Sequence, residues 1–132
     1  MKKITIIGTG YVGLVSGAGL AEFGHEVACL DIDENKINNL NSGKIPIYEP
    51  GLENLVRKNV QDKRLAFSSD IEKNIIESKI IFIAVGTPQD ENGKADLKAV
   101  KSVVDLVANN LNNYKIICTK STVPVGTGKW IK

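Results

Sequence analysis

Six residues, GTGYVG at 8–13, constrain this chain more than any other stretch. They close an apolar, β-branched run over residues 2–8, which reads as a strand buried on both faces. They open YVGLVSGAGLAEFG at 11–24, where small and apolar residues recur at helical spacing and Gly24 is placed as a stop. A glycine-rich turn between a buried strand and a helix demands that the helix fold back closely on a sheet. Few architectures allow that.

The rest of the chain repeats the alternation. EVACLD (26–31) reads as a second strand, and Asp33 then caps a helix with Ile37 and Leu40 as its apolar stripe and Gly43 as its end. A two-proline loop, KIPIYEPG, leads to a short helix at 52–60. RLAFSS (64–69) is a third, weaker strand, after which Asp70 caps a helix through 77. KIIFIAVG (79–86), the most apolar segment, is expected as a central strand. A polar loop follows, Asp96 caps a long helix over 97–111, and KIICTK (115–120) is the fifth strand. Strands alternating with helices on short connections predict an α/β fold: a Rossmann-type, doubly wound parallel sheet, strand order 3-2-1-4-5, with helices on both faces.

At 132 residues the chain is one domain by size, able to remove roughly 65% of its unfolded surface from water. The formal charge of +2 and the absence of any long Lys/Arg run predict no nucleic-acid partner and no membrane patch, and no run reads as a leader or a span. Cys29 and Cys118 each sit inside an apolar run, as buried thiols of a cytoplasmic protein do. With His25 as the single histidine and no CxxC spacing, neither a disulfide nor a metal site is predicted. The closing KSTVPVGTGKWIK passes from the fifth strand into the first turn of a helix, which predicts a domain, 1–132, cut early in that element.

Within the turn each glycine has a physical task. Gly8 permits the tight exit from the strand, Gly10 lets backbone approach a pyrophosphate, and Gly13 lets the helix lie close to the sheet, a packing that Gly17 extends. The helix N-terminus adds unpaired N–H groups and a positive dipole end. Asp31 ends the second strand, where its carboxylate can accept from an adenosine ribose and repel a 2′-phosphate. That combination predicts NAD rather than NADP, with the nearby Lys36 as the one counterweight. A cofactor-free turn, or another ligand such as FAD or S-adenosylmethionine, fits the glycines less completely. Two further loops, AVGTP (84–88) and KSTVP (120–124), leave strands at the same end, where ligands of open α/β sheets bind. Their hydroxyls, on Thr87, Ser121 and Thr122, serve equally well as turn or cap groups on local grounds.

Taken in order, GYVGL, AEFGHEV, DIDENKINNLNSGKIPIYEPGLE, VGTP and KSTVPVGT resemble the UDP-glucose 6-dehydrogenase family over essentially the whole chain. GDP-mannose and UDP-N-acetylmannosamine dehydrogenases share GYVGL and STVPVGT, while IPIYEPGL at 45–52 looks more like the UDP-glucose branch. The resemblance implies two successive NAD-dependent oxidations of the sugar C6 alcohol to the glucuronate, with the aldehyde captured by a Cys as a thiohemiacetal, oxidised to a thioester and hydrolysed. It implies NAD contacts at Gly8, Thr9, Gly10, Tyr11, Val12 and Gly13, at Asp31 and Lys36, at Val85, Gly86, Thr87, Pro88 and Gln89, and at Ser121, Thr122 and Val123. Thr122 matches the family's Thr near the reacting C6 and its catalytic water, and is the one catalytic candidate. The family's nucleophilic Cys, its Lys and Asn, its sugar-nucleotide segments and its dimer helix match nothing in residues 1–132.

The expectation is therefore an NAD-binding domain without turnover, whose cytoplasmic, homodimeric parent acts on a UDP-sugar. A stand-alone NAD-binding module is the reading of a different class. The STVPVGT and IPIYEPGL segments speak against 3-hydroxyacyl-CoA and 6-phosphogluconate dehydrogenases. An unpaired edge on the fifth strand is expected to invite self-association.

Overall fold

The computed structural model describes residues 1–132. In chain order the elements are β1 (Lys3–Ile7), α1 (Tyr11–Glu22), β2 (Glu26–Leu30), α2 (Glu34–Asn41), α3 (Leu52–Gln61), β3 (Leu65–Ser68), α4 (Ile71–Glu77), β4 (Ile80–Ile83), α5 (Lys98–Asn109), β5 (Ile116–Thr119) and α6 (Thr127–Ile131). The strands form a single parallel sheet in the order β3-β2-β1-β4-β5. The middle place belongs to β1; β4 lies beside it, between β1 and β5, and β5 forms one edge.

Period-two alternation sends side chains from each strand into two separate cores. Ile4, Ile6, Val27 and Cys29 face α1, α2 and α3, and pack with Leu14, Ala18, Leu40 and Val56. Ile7, Leu30, Ile81 and Ile83 face the other way and pack with Ile71 and Ile75 of α4 and Val103 and Val107 of α5. Coverage on both faces explains why the strands read as unbroken apolar runs. Each buried Ile or Leu contributes about 1.5–3 kcal/mol by leaving water. Thr5 is the buried polar residue of β1, and its hydroxyl is satisfied by the Asn74 carbonyl at 3.2 Å and by the Ser78 hydroxyl.

Helix α1 owes its place to the small residues on its inner face, Gly13, Gly17, Ala18 and Ala21. Low intrinsic propensity is offset by packing, as most helical stability in proteins is. The polar caps of α2 and α4 form as expected: Asp33 accepts from the N–H of Asn35 and Lys36, and Asp70 from that of Lys73.

Most element ends fall within a residue or two of expectation, and two of the differences have a clear physical reason. Strand β4 ends at Ile83 rather than 86, because β1 turns away at Gly8 and leaves nothing to pair with; the last rung is Ala84 N–H to the Ile7 carbonyl at 2.8 Å. Helix α5 is capped at Leu97, so Asp96 stands one residue outside it and instead accepts from Lys98 N–H at 2.9 Å. No helix is long and apolar enough to cross a membrane.

Candidate functional site

All five strands point their carboxyl ends toward one rim, where a cleft of about 660 Å³ opens between the β1–α1 turn and α5. That volume lies in the range of small-molecule sites. Gly8 and Gly10 form its floor, Asp31 and Lys36 one side, Val85 and Gly86 the other, and Ile71, Val103 and Leu106 its apolar end.

The turn itself is sterically determined. Gly8 has φ +110°, a left-handed conformation, and a β-carbon there would stand 2.5 Å from the Ala84 carbonyl oxygen. A β-carbon on Gly13 would collide with the Gly8 carbonyl, so α1 can approach the turn only because that carbon is missing. At Gly10 an added β-carbon would meet no protein atom, which leaves the space above the turn open. Gly10 is also the N-cap of α1, without a side chain to cap it. Leu14 N–H is the first of the helix to find a backbone acceptor, the Gly10 carbonyl at 2.9 Å. The N–H groups of Tyr11, Val12 and Gly13 thus remain free, and no acidic residue lies in the first turn. Free donors at the positive end of a twelve-residue helix make a site for an anion such as phosphate.

Across the floor, Asp31 follows β2 directly, with its side chain only 12% exposed. Its Oδ2 accepts from Thr9 N–H at 3.0 Å and Thr9 Oγ1 at 2.7 Å, its Oδ1 from Asp33 N–H at 3.1 Å, and Lys36 Nζ stands 3.8 Å from Oδ2. Burial by itself would push this carboxyl up; the hydrogen bonds from Asp33 and Thr9, with the Lys36 charge, outweigh it and hold Asp31 below its ordinary value. The cleft therefore presents a committed carboxylate opposite a helix N-terminus.

The two remaining loops meet at the rim. Thr87 Oγ1 donates to the Thr122 carbonyl at 2.8 Å, Ser121 Oγ to the Val85 carbonyl at 2.7 Å, and Ser121 N–H to the Ile83 carbonyl at 3.0 Å. These two hydroxyls hold the loops together. The Thr122 hydroxyl, by contrast, is exposed and makes no hydrogen bond within the protein. Val123, next to it, is half-buried. Pro88 and Gln89 belong to a small hairpin whose ends join at the Gln89–Ala95 bridge and the Asp96 N–H bond to the Pro88 carbonyl, 2.7 Å.

Of the residues singled out in the sequence, Gly8, Gly10, Asp31, Lys36, Val85 and Gly86 line the cleft. Tyr11 and Val12 are exposed at the start of α1, where the Tyr11 hydroxyl donates to Glu49 of the IYEPG loop at 2.7 Å. That contact ties the loop to the turn and holds the Tyr11 phenol above its ordinary pKa, through the hydrogen bond first and the Glu49 charge second. The apolar end, with Ile32, Ile71, Val103 and Leu106, carries no motif in the sequence; in the structure Ile32, between two aspartates, is 85% exposed.

Neither cysteine fits a nucleophile's part. Cys29 is fully buried, which pushes its thiol up to about 12, and Cys118 sits half-buried within β5. No group of His, Cys, Asp and Glu is placed to hold a metal ion.

Comparison with known proteins gives consistent results. Residues 2–132 match the family model described as UDP-glucose/GDP-mannose dehydrogenase family, NAD binding domain. The chain is 59% identical to UDP-glucose 6-dehydrogenase TuaD of Bacillus subtilis over 132 residues, all of this chain and 29% of that protein. It is 53% identical to UDP-glucose 6-dehydrogenase of Rhizobium meliloti, covering 96% of this chain and 29% of the relative. Among solved structures, UDP-glucose dehydrogenase of Pyrobaculum islandicum superposes with TM-score 0.92 at 35% identity, over 96% of this chain and 30% of the other. GDP-mannose dehydrogenase of Pseudomonas aeruginosa superposes with TM-score 0.93 at 37% identity, over 99% and 30%. The chain thus spans less than a third of the length of these relatives.

Proposed function

The chain belongs to the UDP-glucose/GDP-mannose dehydrogenase family as its NAD binding domain, and from that premise we propose that residues 1–132 form the cofactor half of a UDP-glucose 6-dehydrogenase. Two relatives at 59% and 53% identity carrying that name support the UDP-glucose reading over GDP-mannose. The free N–H groups of Tyr11, Val12 and Gly13 hold the pyrophosphate, with Gly10 leaving room for it. Asp31 accepts from the adenosine ribose, and Lys36 stands beside it. Ile32, Ile71, Val103 and Leu106 offer the adenine a dry slot. Val85, Gly86 and the tied loops at Thr87 and Ser121 present the rim to the nicotinamide end.

Bound NAD supplies the hydride acceptor for oxidation of the sugar alcohol. The protein's own part at that rim is to orient: Thr122 has a hydroxyl free to hold an alcohol oxygen or a water, on a backbone fixed by Thr87. The thiol for the second oxidation lies outside residues 1–132, since Cys29 is inert and Cys118 has no activating partner. On this reading these residues bind NAD without turnover, and the whole enzyme is a cytoplasmic homodimer that takes the UDP-sugar on further residues.

The observation that carries the proposal is the ionised, pinned Asp31 facing an uncapped helix N-terminus across one cleft. Calorimetric titration tests it: NAD is expected to bind at least about tenfold more tightly than NADP, since a 2′-phosphate would meet the Asp31 carboxylate. Equal affinity, or preference for NADP, would contradict the cofactor assignment.

A further inference from the structure

One residue of the turn lies apart from the cleft it helps to form. Thr9 is 2% exposed and is not among the residues that line the cavity, although Gly8 and Gly10 on either side are. Both of its donors go to a single atom, Asp31 Oδ2, from Oγ1 at 2.7 Å and from N–H at 3.0 Å. An ionised carboxylate has about four acceptor positions, two on each oxygen. Thr9 fills both on Oδ2, while Oδ1 has one partner, Asp33 N–H at 3.1 Å. The open position is therefore on Oδ1, and the carboxylate cannot rotate without breaking charge-assisted hydrogen bonds.

We infer that Thr9, which the resemblance places among the NAD contacts, is instead a positioning residue for cofactor choice, which touches no part of the dinucleotide and acts by pinning Asp31 with one Oδ1 position open to a ribose hydroxyl. A carboxylate free to swing can turn away from a 2′-phosphate and relieve the repulsion; a pinned one cannot. The Thr9 hydroxyl thereby sharpens discrimination that Asp31 alone would supply only in part. This inference rests on the NAD reading above.

The test compares NAD and NADP affinities of the unchanged protein with Thr9→Val, Thr9→Ser, Asp31→Asn and the Thr9→Val/Asp31→Asn pair. Valine keeps the shape and removes the hydroxyl. Thr9→Val is expected to weaken NAD about tenfold while leaving NADP unchanged or tighter, because a carboxylate no longer held in place must be ordered when the ribose binds. Thr9→Ser, which restores the hydroxyl, is expected within about twofold of the unchanged protein. In the Asp31→Asn background Thr9→Val is expected to cost no more, because its effect runs through the carboxylate. Equal losses for NAD and NADP, or the full penalty retained beside Asp31→Asn, would overturn the inference. Should the valine variant fail to melt cooperatively, Thr9→Ala, with room for a water, replaces it under the same criteria. Absence of NAD binding by the unchanged protein would remove the NAD reading itself, and this inference with it.

Discussion

A β-carbon added at Gly17 would run into the sulfur of Cys29, which β2 holds fully buried opposite Ile6. The same β-carbon would also stand 3.4 Å from Ile6 Cδ1, so the helix has little room to shift along the sheet. Gly17→Ala is expected to destabilise the protein by about 1–3 kcal/mol, read as a lower urea midpoint with unchanged slope. Adding Cys29→Ala should recover part of that loss by removing the sulfur. Unchanged stability of the single variant would show that α1 does not pack as tightly as described. The close packing at Gly17 was legible from its place one turn after Gly13, and the position of Asp31 at the cleft from its place at the end of a strand. The work of the Thr9 hydroxyl was not, because a threonine inside a glycine turn carries no periodic or capping signal. Its partner is fixed by the β1–β2 register, which brings residues 9 and 31 together.

Three helices end in the same way, and one does so with the wrong residue. After α1, Gly24 and His25 bond back to the carbonyls of Ala21 and Leu20; after α2, Gly43 and Lys44 bond to those of Leu40 and Asn39. After α3, Lys63 and Arg64 bond to those of Val60 and Asn59, completing the same Schellman pattern. In the third, the left-handed position is held by Lys63 at φ +57°, where the other two have glycine. Lys63→Gly is expected to raise stability by about 0.5–1 kcal/mol, visible as a higher melting temperature. A lowered one would mean that the lysine side chain supplies something the backbone argument omits. Glycine stops and aspartate caps are readable because their composition is their mechanism. A lysine in the left-handed region is not, and neither was the α5 start, where Asp96 has the composition of a cap but Leu97 has the position.

At the scale of the molecule, parallel topology and strand order followed from apolar strand-length runs, short helical connections and one glycine turn. Strand ends followed less well, since a strand stops where its neighbour turns away. The meeting of the AVGTP and KSTVP segments was expected from their strands, but the hydroxyls of Thr87 and Ser121 proved to bond loop to loop, leaving that of Thr122 free. The apolar end of the cleft was invisible in sequence because Val103 and Leu106 belong to an amphipathic helix whose stripe reads only as core. On the proposed reading NAD lies across these pieces in one direction, phosphates on α1, ribose on Asp31 and adenine beside Ile32. Amide NMR of the labelled protein titrated with NAD tests this residue by residue. The largest shifts are expected at Tyr11, Val12 and Gly13, at Asp31 and Ile32, and at Val85 and Gly86. Shifts confined to other surfaces, such as the Trp130 side of α5, or no shifts at saturating NAD, would contradict it.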